Sequence, residues 1–151
     1  MTEFKRNSLT SALCYRDPKA ALDWLQGAFG FELAMVITDA EGNVAHSEMR
    51  YADSLVMIGS EWSEDHKSPA SLGGKNTQTV HVQVTDVDAH CERARKAGAA
   101  ILQEPETQFY GDRTYRARDP EGHVWTFGQA VRQMTPEEWD AASGLKTKMY
   151  P

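Results

Sequence analysis

The chain has 151 residues, of which 40% are hydrophobic and 25% charged, and its net charge is −6. This length suits one compact domain with a hydrophobic core and would crowd two. The acidic balance, with a pI of about 5.3 and no run of Lys or Arg, argues against a nucleic-acid partner. No stretch resembles a signal peptide or a membrane span, so we expect no membrane partner and a cytoplasmic location. Cys14 and Cys91 lack the spacing of a metal or redox site and predict buried, unpaired thiols.

The first half of the chain predicts a strand, a helix and three further strands. Residues 9–15 are typical of a strand, Asp17 of a helix N-cap with Pro18 at the first helical position, and Gly30 of a helix end. The three later strands are predicted over residues 31–38, 44–51 and 54–59.

The same order of elements returns after a linker rich in Ser, Gly and charge. Asp86 predicts the N-cap of a second helix and Gly98 its end, while Thr135 opens a capping box before a short helix in the tail. The second-half strands are predicted over residues 79–84, 99–103, 114–118 and 123–127. We therefore predict one domain, 1–151, with module one at 9–60, the linker at 61–78, module two at 79–129 and a tail helix within 130–151.

The two modules also share residues at a constant spacing. Sliding residues 10–59 onto residues 79–128, a shift of 69, gives eight identities. They are Thr10–Thr79, Asp17–Asp86, Ala20–Ala89, Ala28–Ala97, Leu33–Leu102, Thr38–Thr107, Gly42–Gly111 and Gly59–Gly128. Average composition gives roughly three identities over such a stretch. The pattern predicts a duplicated β-α-β-β-β unit in an α+β fold, with a functional cleft between the units.

Strand alternation predicts which side chains line that cleft. In residues 79–84 the valines share the face that packs on the helices, whereas Thr79, His81 and Gln83 share the other face. In residues 44–50 the cleft candidates are His46 and Glu48. The predicted cleft is moderately polar, and its titratable groups are His46, Glu48 and His81.

Together with the duplicated unit, the segment Asp119-Pro120-Glu121-Gly122-His123-Val124-Trp125-Thr126-Phe127 resembles the vicinal oxygen chelate superfamily of glyoxalases, bleomycin-resistance proteins and extradiol dioxygenases. The resemblance covers residues 9–129. It implies that the two modules form a cupped, mostly antiparallel sheet, often completed by pairing of two chains. It also implies that metal-dependent members carry a His or Glu ligand near the start of the first strand of each module and a Glu in its last strand.

This sequence departs from the family pattern at those ligand positions. The resemblance places them at Thr10, Met57, Thr79 and Thr126. A neutral hydroxyl is a poor ligand for a divalent cation, and a thioether suits soft copper(I). We therefore expect the usual metal site to be absent and predict no cofactor.

Three other side chains are candidates for a metal site away from the family's ligand positions. His46, Glu48 and His81 are the residue types of a two-His, one-carboxylate site that would bind a divalent metal. Without metal, Glu48 as base and a His as acid would make a proton-transfer site. The third possibility is that all three are hydrogen-bonded polar residues lining a wet cavity.

A second group of candidates surrounds the Gly111 turn. Tyr110, Arg113 and Tyr115 would hold a planar or anionic small molecule, because a guanidinium beside aromatic faces suits both. Alternatively, Arg113 pairs with a surface carboxylate and the tyrosines cover the sheet edge. Trp62 would likewise form a stacking wall or anchor the linker.

Two functions follow as hypotheses. The first is a homodimeric protein that binds a small organic molecule in its cleft without metal, as the resemblance to bleomycin-resistance proteins implies. The alternative is a metal-dependent lyase, isomerase or dioxygenase with a non-standard metal site at His46, Glu48 and His81, which are also the candidate catalytic residues. The predicted ligand-binding residues are Thr10, Met57, Trp62, Thr79, Gln83, Tyr110, Arg113, Tyr115 and Thr126.

Overall fold

A computed structural model describes residues 6–151 as two modules with the same order of elements. The first contains β1 (Ala12–Tyr15), α1 (Pro18–Phe29), β2 (Glu32–Thr38), β3 (Val44–Tyr51) and β4 (Ser54–Ser60). The second contains β5 (Val80–Gln83), α2 (Val87–Lys96), β6 (Ala100–Thr107), β7 (Asp112–Arg118) and β8 (Val124–Ala130). A short 3₁₀ helix (Pro69–Ser71) lies in the linker and α3 (Pro136–Ser143) in the tail. None of the helices within residues 6–151 is long and apolar enough to cross a membrane.

The helix boundaries follow the local capping signals. The Asp17 carboxylate accepts the backbone N–H of Ala20 at 3.0 Å, and Asp86 accepts that of Ala89 at the same distance. Gly30 ends α1 in the left-handed conformation, with φ of 75°. These contacts confirm the two predicted N-caps and the first predicted helix end.

The strands form two four-stranded sheets, which confirms the α+β fold. The strand order is β1-β4-β3-β2 in the first sheet and β5-β8-β7-β6 in the second, and the two sheets are separate. Only the β1–β4 and β5–β8 pairs are parallel among the described strands. Several strand ends differ from the prediction by a few residues. The largest differences are that β1 begins at Ala12, that β8 ends at Ala130, and that β6 continues to Thr107 because it keeps pairing with β7 beyond a bulge.

The helix-facing sides of both sheets share one hydrophobic core. Phe29 of α1 lies with its ring centroid 4.7 Å from that of Phe127 and 5.6 Å from that of Trp125, so module one packs directly on module two. Cys91 is buried in this core and Cys14 is half-buried, and both thiols are free. Because side chains alternate along a strand, the opposite face of each sheet, which we call its outer face, points away from this core.

The modules do not superpose under one constant shift. Met57 of β4 and Thr126 of β8 are 69 residues apart, but their cross-strand partners Glu48 and Arg116 are 68 apart. A one-residue slip moves a side chain to the other face of a sheet, so a rigid shift of 69 would match Glu48 with buried Ala117. The structure corrects the ungapped repeat and gives Glu48 and Arg116 matching positions.

The turn before β8 joins the two modules. The Asp119 carboxylate accepts the O–H of Tyr15 at 2.7 Å and the indole N–H of Trp125 at 3.1 Å, and its other oxygen accepts the backbone N–H of His123 at 3.0 Å. The Glu121 carboxylate accepts the backbone N–H of Asp17 at the start of α1, at 2.9 Å. The Asp-Pro-x-Gly segment therefore links the two modules through hydrogen bonds.

Candidate functional site

A row of four side chains crosses the outer face of the first sheet. Cross-strand pairing aligns Ala12 with Met57, Met57 with Glu48, and Glu48 with Met35. Directly paired residues project from the same face of a sheet, so Met35 and Met57 flank the Glu48 carboxylate, and Ala12 lies one strand beyond Met57. We call Ala12, Met35, Glu48 and Met57, together with the adjacent His46, half-site one.

Glu48 is fully buried in this surface. Its Oε1 accepts a hydrogen bond from Nη1 of Arg6 at 2.6 Å. Its Oε2 finds no hydrogen-bond partner in the described part of the chain. Nε2 of His46 lies 3.7 Å from that oxygen, beyond hydrogen-bond distance. Half-site one therefore holds a carboxylate oxygen with unused acceptor capacity.

The matching row on the second sheet is polar. Pairing aligns His81 with Thr126, Thr126 with Arg116, and Arg116 with Gln103. Nε of Arg116 donates to Oγ1 of Thr126 at 3.4 Å. Gln83 follows His81 on the same side of β5. We call His81, Gln103, Arg116 and Thr126 half-site two.

The two half-sites do not meet within one chain, because the outer faces point away from the shared core. The displaced metal site expected from His46, Glu48 and His81 is therefore not assembled: the first two lie on β3 and the third on the other sheet. Among residues 6–151 no three His, Cys, Asp or Glu side chains gather closely enough to hold a metal ion.

The four positions that the family pattern assigns to metal ligands also fail the chemical test. Met57 and Thr126 lie on the outer faces, Thr10 is half-buried ahead of β1, and Thr79 is exposed ahead of β5. Three hydroxyls and a thioether do not fit a divalent cation. Within one chain, the residues present do not form the metal site of the metal-dependent members.

Tyr115 and Arg113 require a correction. Tyr115 is fully buried on the core side of β7, where its O–H lies 2.5 Å from Nδ1 of His90, and burial raises its pKa. Arg113 faces the same side and holds Asp88 through two contacts of 3.0 Å, which raises the pKa of Arg113 and lowers that of Asp88. Residues 113 and 115 lie on one face of β7 and Arg116 lies on the other, so side-chain alternation along the strand was enough to predict that Arg113 and Tyr115 face the core side.

The other aromatic candidates lie at the edges of the molecule. Tyr110, in the β6–β7 turn, packs edge-on against Phe109 at 5.2 Å. Burial and nearby Asp112 raise the pKa of Tyr110. Trp62 stacks on His66 with centroids 3.9 Å apart, which favours its alternative role as a linker anchor.

A crevice of about 360 Å³ lies between the modules. Its wall includes Phe31, Tyr51, Val82 and Trp125, and His81 and Gln83 also border it. The volume and apolar lining suit a small molecule. This crevice is therefore a second candidate site for a ligand.

Sequence reasoning missed several residues of these surfaces, among them Arg6, Met35 and Arg116. Arg6 precedes every predicted element, so no pattern linked it to Glu48. Met35 shares the β2 pattern of apolar residues and carries no chemical signal. Arg116 falls on the wrong face under the constant shift of 69 and emerges only from the observed register.

Comparison with known proteins agrees with this architecture. The family model of the Glyoxalase/Bleomycin resistance protein/Dioxygenase superfamily matches residues 8–127. The chain is 34% identical over 139 residues to protein Mb0911c of Mycobacterium bovis. This match covers 89% of this chain and 91% of that relative. Two modules of this kind and a matching family model define the class, and the chain belongs to the Glyoxalase/Bleomycin resistance protein/Dioxygenase superfamily.

Two solved structures are similar throughout most of their length. TioX from Micromonospora sp. ML1 is 35% identical, with a TM-score of 0.68, and the match covers 83% of this chain and 99% of TioX. TnmS3, an antibiotic binding protein from Streptomyces sp. CB03234, is 21% identical with a TM-score of 0.64. Its match covers 87% of this chain and 99% of TnmS3 and shows a common fold.

Proposed function

We propose that this protein binds and sequesters a small, largely apolar organic molecule without the metal of the superfamily's metal-dependent members. Half-site one carries this proposal, because Met35 and Met57 flank Glu48 on the outer face of the first sheet. Methionine adapts to ligands of irregular shape. The antibiotic-binding protein TnmS3 has the same fold, which supports antibiotics as a class of ligand to test.

A second copy of the chain completes the site in this proposal. Half-site one of one copy faces half-site two of the other, which brings the candidates from both sheets into one cleft. Exposed Ile37 of β2 supports such a contact, since it pairs with His46 on the outer face and is 49% exposed. A cytoplasmic location belongs to the same proposal.

A thermal-shift screen tests this function. Chelator-treated protein is screened against aromatic and macrocyclic antibiotics, and we expect bound compounds to raise the melting temperature. Met57→Trp, which fills half-site one, should abolish the shift, whereas Val82→Phe, which narrows the crevice between the modules, should preserve it. The reverse pattern would move the site to the crevice, and no shift for any compound would contradict the proposal.

The metal-dependent enzyme remains a second candidate. His46 and Glu48 lie side by side, and His81 of a second copy would supply a third donor in the proposed dimer. Elemental mass spectrometry after incubation with nickel, cobalt, zinc, manganese or iron(II), followed by desalting, tests it. About one metal equivalent per site, lost in His46→Ala, would favour a lyase, isomerase or dioxygenase. No retained metal would favour binding alone.

A further inference from the structure

Glu48 is buried at a cost that the described chain only partly offsets. Moving a carboxylate out of water is unfavourable unless hydrogen bonds and opposite charge compensate it. Arg6 offsets part of this cost by donating a hydrogen bond to Oε1, whereas Oε2 has no hydrogen-bond partner among residues 6–151. Glu48 projects from the outer face on which we propose that a ligand binds. Its Oε2 is enclosed, so a ligand meets this oxygen only when a flexible neighbour such as Met35 or Met57 moves aside.

The surroundings of Glu48 narrow the chemistry of the missing partner. An ionised carboxylate only accepts hydrogen bonds, so the partner must bring a donor. The side chains of Ala12, Met35 and Met57 offer no N–H or O–H group. The imidazole of His46 has a ring nitrogen that can donate, but its Nε2 lies 3.7 Å from Oε2, beyond hydrogen-bond distance. A donor at hydrogen-bond distance must therefore come from outside half-site one.

The protein itself shows which kind of donor this carboxylate accepts. At Oε1 the partner is a cationic N–H, the Arg6 guanidinium, at 2.6 Å. Charge-assisted hydrogen bonds of this type are the strong ones. The net charge of −6 also favours the approach of a cation over that of an anion.

We infer that Glu48 is the polar anchor of the bound molecule and that the ligand is an organic cation. Its N–H group donates to Oε2 of Glu48, and its apolar or aromatic body lies on Met35 and Met57. This inference rests on the proposed binding function and adds the chemical class of the ligand. It also gives Arg6 a role, because its guanidinium competes with the ligand for the same carboxylate.

Three acridines of one ring size test the inference by fluorescence titration. 9-Aminoacridine is a cation with N–H donors at neutral pH, acridine is neutral, and acridine-9-carboxylate is an anion. We expect wild-type protein to bind 9-aminoacridine roughly tenfold or more tightly than acridine, and the carboxylate most weakly.

Matched variants locate that preference. Glu48→Gln removes the charge at constant shape and should bring the ratio between 9-aminoacridine and acridine close to one. Glu32→Gln makes the same change at an exposed position of β2 and should leave the ratio unchanged. Arg6→Gln should tighten 9-aminoacridine binding several-fold, a gain that a misfolded variant would not produce.

The outcomes separate this inference from the proposed function. Equal affinity of the wild-type protein for 9-aminoacridine and acridine, or an unchanged ratio in Glu48→Gln, would overturn the inference and leave small-molecule binding in place. If Glu48→Gln fails to fold, weaker 9-aminoacridine binding in Arg6→Gln would overturn it. No binding of any acridine would count against both.

Discussion

Replacing Asp119 with alanine should destabilise the protein strongly, because this carboxylate is a hydrogen-bond hub. It is 4% exposed and accepts the O–H of Tyr15, the indole N–H of Trp125 and two backbone N–H groups in its own turn. Tyr15 belongs to module one and Trp125 to module two. The substitution therefore removes a turn and a link between modules together.

The magnitude follows from the donors left behind. Tyr15 and Trp125 are fully buried, so each loses its acceptor in a place that water does not reach. An orphaned buried donor costs about 1–3 kcal/mol. Two such donors and the weakened turn give an expected loss of about 4 kcal/mol in the free energy of unfolding.

Asp39 provides a matched control. It accepts the backbone N–H groups of Glu41 at 3.0 Å and Asn43 at 2.9 Å, the same offsets that Asp119 uses, but in an exposed hairpin. Asp39→Ala should therefore lose the turn contacts alone and cost much less. Urea unfolding followed by tryptophan fluorescence and circular dichroism measures both variants. A decrease below about 1 kcal/mol in the free energy of unfolding for Asp119→Ala, or equal decreases in both variants, would show that Asp119 does not stabilise the contact between the modules.

Three further outcomes follow from the structure. Burial lowers the pKa of His90 below 6.5, so the stability that neutral His90 contributes is complete above pH 6.5 and declines as the pH falls below that value. When the free energy of unfolding in urea is measured against pH, His90→Gln should flatten this decline and His66→Gln should not. Gly111→Ala should destabilise more than Gly42→Ala, because both have positive φ but only at Gly111 would a Cβ lie 2.1 Å from a backbone oxygen; equal melting temperatures would contradict this. Arg113→Ala should leave 9-aminoacridine affinity unchanged in the titration, since its side chain faces α2, and a loss of about tenfold would return it to the site.

Local signals made much of the fold predictable from the sequence. Asp17 and Asp86 cap their helices through contacts only three residues long, so nothing distant had to be known. The alternation of Val80, His81 and Val82 likewise fixes faces within one strand. The resemblance carried by the Asp119 turn then supplied the arrangement of the modules, which the family match and the two sheets confirm.

The candidate site was less predictable because it depends on register between strands. The bulges in the β2–β3 and β6–β7 pairs fall at different places, so equal spacing along the chain does not mean equal position in space. Arg116 was missed for this reason, because the constant shift of 69 matches it with buried Ser47. The contact between Arg6 and Glu48 spans 42 residues and follows from no local pattern. The bare oxygen of Glu48 is visible only once the side chains around it are placed.

The most direct test of metal-free binding at half-site one is native mass spectrometry of chelator-treated protein with 9-aminoacridine. One spectrum reports the number of chains, any bound metal and any bound organic molecule. We predict a species of two chains that carries 9-aminoacridine and no metal, with the bound molecule lost in Met57→Trp. Single chains without adduct, or an adduct that forms only after zinc or nickel is restored, would contradict this account.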